Sequence, residues 1–111
     1  MIVGGGFAGI AAACALKRCD ADVVLIDRRN HHIFQPLLYQ VATASLSPAD
    51  IASPIRLVLR RQANVEVSLA DARSIDDARR VVVTDRSPIA YDYLILAAGA
   101  RHSYFGHPEW A

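Results

Sequence analysis

Six residues near the N-terminus carry the clearest chemical signal. Gly4-Gly5-Gly6-Phe7-Ala8-Gly9 has the spacing G-x-G-x-x-G, and Asp27 stands 18 residues beyond its last glycine. Each glycine of the pattern has a mechanical reason. Gly4 permits a tight turn off a strand, and Gly6 lets backbone approach a pyrophosphate with no Cβ in the way. Gly9 lets a helix pack closely on that strand. The helix N-terminus then offers unpaired N–H groups and partial positive charge to phosphates. A carboxylate at the position of Asp27 suits the adenosine ribose hydroxyls. The pattern alone is weak. Its context makes it specific for the ADP half of a dinucleotide, because a strand precedes it, a helix follows it and an acidic residue closes the next strand. Asp27 would repel a 2′-phosphate, which disfavours NADP. Arg28 reads equally well as an ADP-side contact or a solvated charge, and Arg29 as solvated.

The elements that must position these residues follow from the changing period of the apolar pattern. Met1-Ile2-Val3 is a short apolar strand broken by three glycines. Phe7 to Cys19 predicts an alanine-rich helix with Lys17 and Arg18 in its last turn. Val23-Val24-Leu25-Ile26 predicts a strand buried on both faces, ending at Asp27. Together they make a βαβ unit. Arg28 to Pro36 lacks periodicity and reads as a loop. Ser47-Pro48-Ala49-Asp50 is a helix start, with a capping serine and proline at the first helical position. Pro54 should kink or divide the helical stretch that runs to about Arg61. Segments 65–71, 80–84 and 91–97 read as three further strands, with Asp85-Arg86-Ser87-Pro88 as the turn between the last two. The fold class expected is α/β: a Rossmann-like unit with a parallel sheet plus a β-hairpin or meander crossover.

Composition excludes several functions. Hydrophobic residues make up 53% of 111 residues, enough for one core, and the net charge of +1 offers no basic stripe for nucleic acid. No apolar run reaches the roughly 20 residues of a membrane span, and no signal peptide is visible. Cys14 and Cys19 lie in one predicted helix, about 140° apart around its axis, so they are not natural disulfide partners. They read as small buried or half-buried residues in a reducing, cytoplasmic setting.

The βαβ unit does not separate FAD from NAD, but the rest of the chain does. Tyr91-Asp92-Tyr93-Leu94-Ile95-Leu96-Ala97-Ala98-Gly99 resembles the strand of two-dinucleotide-binding flavoproteins that ends in Ala-Thr-Gly, with Ala98 in place of the threonine. Asn30-His31-His32-Ile33-Phe34-Gln35-Pro36-Leu37-Leu38-Tyr39-Gln40, the run from Asp50 to Arg56, and the run from His102 to His107 resemble type II NADH dehydrogenases, the non-proton-pumping NADH:quinone oxidoreductases. The resemblance covers essentially the whole chain. It implies non-covalent FAD held at its pyrophosphate by Gly4, Gly6, Phe7, Ala8 and Gly9 and at its ribose by Asp27. It places Gln35 and Pro36 toward the flavin, the backbone of Ala72 at the adenine, and Ala98 and Gly99 beside the ADP moiety. It implies NADH and a quinone as substrates of the full-length enzyme, with the redox chemistry belonging to the cofactor and no catalytic side chain in this chain. It also implies a peripheral place on the cytoplasmic face of the inner membrane, with membrane contact only through parts absent from this chain, and a possible homodimer.

Disulfide-reducing relatives carry a redox cysteine pair after the acidic strand, and this chain has none there. Only one G-x-G-x-x-G is present and the first strand is short. Residues 1–111 therefore read as an N-terminal fragment of an FAD-binding domain, inactive alone. Alternatives are a truncated nucleotide-binding module, or part of a sulfide:quinone oxidoreductase whose cysteines lie elsewhere. No metal site is expected, since adjacent residues of an extended segment, such as His31 and His32, point to opposite sides. They are assigned to loop ordering. Tyr39 reads as buried with a satisfied hydroxyl, and Tyr104, Phe105 and Trp110 as packing.

Overall fold

The computed structural model describes residues 1–100, 103–107 and 109. The three-layer arrangement follows from which residues must be buried. Strands β1 (Ile2–Val3), β2 (Val23–Asp27), β5 (Val65–Leu69) and β9 (Ile95–Leu96) form one parallel sheet in the order β5-β2-β1-β9. Although only two residues long, β1 lies inside the sheet, with Ile2 opposite both Leu25 and Ile95. One face of the sheet packs on helices: Ile2, Val23 and Leu25 meet Ala13 of α1 (Phe7–Ala15), Ile55 of α4 (Ile55–Val58) and Leu59. The other face packs on an antiparallel meander of β6 (Ala72–Asp76), β7 (Val81–Thr84) and β8 (Ile89–Ala90), where Ile26 meets Ala70 and Val82. Burial on both faces explains the continuous apolar run of β2.

A short antiparallel pair, β3 (His31–Ile33) with β4 (Ala52–Pro54), flanks the first helix. Between them lie α2 (Leu38–Ala42) and α3 (Pro48–Ile51). Ser47 precedes α3 as expected, and its N–H donates to Asp50 Oδ2 at 2.8 Å. Pro54 divides the helical stretch, as its missing N–H requires, and the residues before it pair as a strand.

Several expectations are corrected. The segment read as a loop contains β3. Its pairing is brought about by tertiary bonds, Phe34 N–H to the Ile51 carbonyl at 2.8 Å and Ile55 N–H to the Asn30 carbonyl at 3.1 Å, which leave no local period. β6 was not foreseen, because Ala-Arg-Ser-Ile-Asp has no β-branched cluster; it is paired by the Val81-Val82-Val83 strand across a bulge between Ala72 and Ser74. The 85–88 turn therefore joins β7 to β8, and the expected strand 91–97 contracts to Ile95–Leu96. α1 ends at Ala15 and a 3₁₀ turn, Leu16–Arg18, follows. Cys14 and Cys19 are unpaired as expected, yet both are exposed rather than buried. Phe105 is 86% exposed and Tyr39 63% exposed, so neither packs as expected, although the Tyr39 hydroxyl does accept a bond from Gln40 Nε2 at 2.9 Å. The expectation for Trp110 and the His102 end of the quoted run lie outside the described residues.

Candidate cofactor groove

Four parallel strands bring their C-terminal ends to one edge of the sheet. Chain order β1, β2, β5 runs in one direction across the sheet, and β9 then lies on the other side of β1. Such a reversal opens a crevice at the carboxyl edge, the usual ligand position of open α/β sheets. A groove of 830 Å³ lies there, lined by Gly4 to Ala8, Asp27 to Arg29, His32, Ile33, Gln35 and the 96–100 segment. A contiguous cleft of 230 Å³ continues it to Ala70, Asp71 and Ala72, with Gly4, Asp27, Arg28, Ala98 and Gly99 shared by both.

The glycines of the turn divide by role. Gly4 has φ +108°, a conformation L side chains rarely adopt, and a Cβ there would strike the Ala97 carbonyl. Its N–H donates to the Ile26 carbonyl at 2.8 Å, tying the turn to β2. A Cβ on Gly9 would collide with the Gly4 carbonyl oxygen, which is the close helix–strand approach expected of the third glycine. Gly6 is different. It caps α1 with φ −77° and ψ −165°, ordinary extended backbone, and a Cβ there would meet nothing within 4 Å. Nothing in the protein itself demands glycine at position 6, and the absence of a Cβ there leaves the backbone open to close approach by a ligand.

Asp27 ends β2 facing this turn. Its Oδ2 accepts the Gly5 N–H at 2.6 Å and its Oδ1 accepts the Arg29 N–H at 2.7 Å. Both bonds are charge-assisted and together they fix the carboxylate's orientation. Each oxygen retains a lone pair, so the group can still accept from a ligand hydroxyl. Gly5 was missed as a site residue. It occupies a variable position of the pattern, and its signal was only that it is the middle one of three consecutive glycines. A Cβ there would strike Ile55 Cδ1, and its N–H is the one that orients Asp27.

The structure brings Gly4, Gly6, Phe7, Ala8, Asp27, Arg28, Gln35, Ala98 and Gly99 to the groove, and Ala72 to its extension. Gly9 lies behind it, buried against Gly4. Pro36, in the 3₁₀ turn Gln35–Leu37, is exposed beside Gln35 and is not itself among the groove-lining residues. His32 was assigned to loop ordering, and it packs edge-on against Phe7 at 4.7 Å between ring centroids with the planes 88° apart. Phe34 packs on the same ring at 5.5 Å. This aromatic group joins the β3–β4 pair to the first turn of α1. Ala70 and Asp71 also went unremarked, although residues just past a parallel strand are where such crevices open. Among the described residues no group of histidines, cysteines and carboxylates could hold a metal.

A larger space, 1190 Å³, lies at the opposite edge, among Asp20, Asp22, Asp77, Arg80 and Tyr91. It has neither a glycine turn nor a helix N-terminus. Its Tyr91 hydroxyl is already engaged with Asp77 at 3.3 Å, and burial followed by that carboxylate raises the tyrosine pKa. Size there is not accompanied by a recognition geometry, so the groove is the candidate site.

Comparison with known proteins agrees with this geometry. The profile of the pyridine nucleotide-disulphide oxidoreductase family matches residues 1–110. The chain belongs to that family. Over its whole length it is 51% identical to the type II NADH:quinone oxidoreductase NdhA of Mycobacterium tuberculosis, 24% of which is covered. It is 31% identical to the external alternative NADH-ubiquinone oxidoreductase of Yarrowia lipolytica over 97% of this chain and 21% of that one. Among solved structures it matches the sulfide:quinone oxidoreductase of Aquifex aeolicus with a TM-score of 0.86 and 32% identity, over 93% of this chain and 24% of that one. It matches Plasmodium falciparum NDH2 in complex with NADH with a TM-score of 0.85 and 25% identity, over 95% and 23%. The chain spans about a quarter of the length of the curated relatives it matches. In this member of the disulphide oxidoreductase family neither Cys14 nor Cys19 lines the groove. Among the described residues no helix is long and apolar enough to cross a membrane.

Proposed function

We propose that residues 1–111 form the FAD-binding part of an NADH:quinone oxidoreductase. The observation that carries the reading is Gly6: a glycine with ordinary backbone angles and open space over it, at the N-terminus of α1 and beside an oriented carboxylate. That combination fits a diphosphate lying against backbone, with a ribose next to it. Gly6, Phe7 and Ala8 would hold the phosphates through their N–H groups, and Gly4 and Gly9 would shape the turn. Asp27 would accept the ribose hydroxyls. Arg28, Ala72, Ala98 and Gly99 would enclose the adenosine side, and Gln35 would face the flavin side. When bound, FAD supplies the two-electron chemistry between a nicotinamide and a quinone. The side chains of this chain bind and orient it, and none of them needs to act as acid, base or nucleophile. Hydrogen bonding through this set leaves the cofactor non-covalent, so acid precipitation should leave yellow flavin in the supernatant.

NADH and a quinone as substrates are supported by the 51% identity to a protein of that name. We assign membrane contact, at the cytoplasmic face, to regions outside these residues, and any homodimer likewise. The TM-score of 0.86 favours a second reading, a sulfide:quinone oxidoreductase. One assay separates them. The full-length, FAD-loaded protein should reduce a soluble quinone with NADH as donor and not with sulfide. Reduction by sulfide and not NADH would replace the first reading with the second, and no turnover with either donor would leave a nucleotide-binding module.

A further inference from the structure

The far end of α1 is held by an unusual device. The helix is nine residues long, about 14 Å, and its buried residues are Gly9 and Ala13, with Ala12 and Leu16 half-buried against the core. A stripe of glycine and alanine lets a helix lie close to a sheet. Small side chains also interdigitate shallowly, so they resist sliding along the axis less than large ones do. The C-terminal end is fixed instead by two side chains from the segment before β5. Gln62, only 7% exposed, donates from Nε2 to the Ala13 carbonyl at 2.7 Å and to Asn64 Oδ1 at 3.1 Å. Asn64 Nδ2 donates to the Leu16 carbonyl at 3.1 Å and the Ala21 carbonyl at 3.0 Å. The Asn64 carbonyl accepts the Val23 N–H at 2.8 Å. Carbonyls at a helix C-terminus often bond to water, which imposes no position. Here the Ala13 carbonyl is bonded to the Gln62 amide, and the Leu16 carbonyl, which also accepts the Cys19 N–H, to the amide of Asn64, whose backbone is tied to β2.

We infer that Gln62 and Asn64 are positioning residues for the phosphate-facing end of α1. Their clamp sets where the helix stands along its axis, and therefore where the N–H groups of Gly6, Phe7 and Ala8 lie relative to Asp27. Hydrogen bonds weaken steeply as distance and angle depart from the optimum, so a small axial shift is felt at the phosphates. Asp27 and Ala72 belong to strands held by their own ladders and would not move with the helix. The inference rests on the groove being a diphosphate site.

The test uses the full chain with ADP and adenosine as calorimetric probes, at a temperature where circular dichroism shows each protein folded. Both probes carry the base and ribose, and only ADP carries the diphosphate. Asn64→Ala and Gln62→Met should each weaken ADP binding by roughly tenfold, the effect of one lost hydrogen bond, and leave adenosine binding unchanged. Equal losses for the two probes, or none for ADP, would overturn the inference. A parent chain that binds ADP no better than adenosine would overturn the reading of the groove itself, which is a separate result. Gln62→Met keeps the length of the buried stem and removes the amide with its bonds to Ala13 and Asn64, so it answers the question if Asn64→Ala does not fold. A Gln62→Met chain that also fails to fold would make the clamp a folding element only and overturn the inference.

Discussion

Replacing Asp27 by asparagine tests the groove with the least change in shape. Both carboxylate oxygens accept backbone N–H groups, from Gly5 at 2.6 Å and from Arg29 at 2.7 Å. Asparagine has one acceptor oxygen, so it keeps one of these bonds and turns an NH₂ donor toward the other N–H donor. One charge-assisted bond is lost, about 1.5–3 kcal/mol. For a domain of this size that lowers the melting temperature by on the order of 10 °C. The same substitution removes the charge that would accept ribose hydroxyls, so FAD affinity should fall by roughly 10- to 150-fold. Arg29→Ala is the control. It removes an exposed side chain and keeps the backbone N–H that Asp27 uses, so stability should change by less than about 0.5 kcal/mol. The assay is quenching of flavin fluorescence on titrating each apo protein, run below both melting temperatures so that unfolding does not enter. Equal losses in the two variants would refute the role given to Asp27, and so would an Asp27→Asn protein that melts and binds like the parent.

Three further outcomes follow from the same geometry. Gly6→Val should leave the helical circular dichroism intact and abolish FAD retention, whereas Gly9→Ala should lower the melting temperature, because its Cβ meets the Gly4 carbonyl and overpacking costs about 1–3 kcal/mol or more; a Gly6→Val chain that binds FAD normally would sink the assignment of the turn. Ile55→Ala removes a fully buried side chain that touches both the core and the space over Gly5, and chemical denaturation should register a loss of about 2–5 kcal/mol. Hydrogen bonds from the Ser47 backbone N–H, and then from its hydroxyl, hold the Asp50 carboxyl below its ordinary value of 3.8. The stabilisation is therefore present above that value and is lost as pH falls through the lower folded one. The Ser47 amide resonance should titrate with a midpoint below 3.8, and a midpoint at or above it would contradict the bond.

The glycine turn and the carboxylate beside it were legible because each is local. Gly4 and Gly9 are demanded by backbone contacts within the turn and with the neighbouring strand, and Asp27 ends a run whose apolar character reports burial on both faces. The parts that were not legible are made by distant pairing. β3 exists because Ala52, Ser53 and Pro54 lie alongside it, and β6 because a valine strand recruits a polar one. The role of Gly5 depends on a carboxylate 22 residues away, and Gln62 and Asn64 act on a helix more than forty residues upstream. That the 3₁₀ turn puts Gln35 on the groove lining and leaves Pro36 exposed beside it was not legible either. The outward placement of Cys14 follows from α1 burying the stripe that carries Gly9 and Ala13.

The most direct test is an amide-resolved NMR titration of the ¹⁵N-labelled chain with FAD. The account predicts saturable shifts concentrated at Gly4 to Gly9, Asp27 to Arg29, Ala72 and Ala98 to Gly99, with the residues of β7 and β8 little changed. Shifts confined to Asp20 to Val24, Asp77 and Tyr91 to Tyr93, around the larger space at the opposite edge, would contradict it, as would no saturable shift at all.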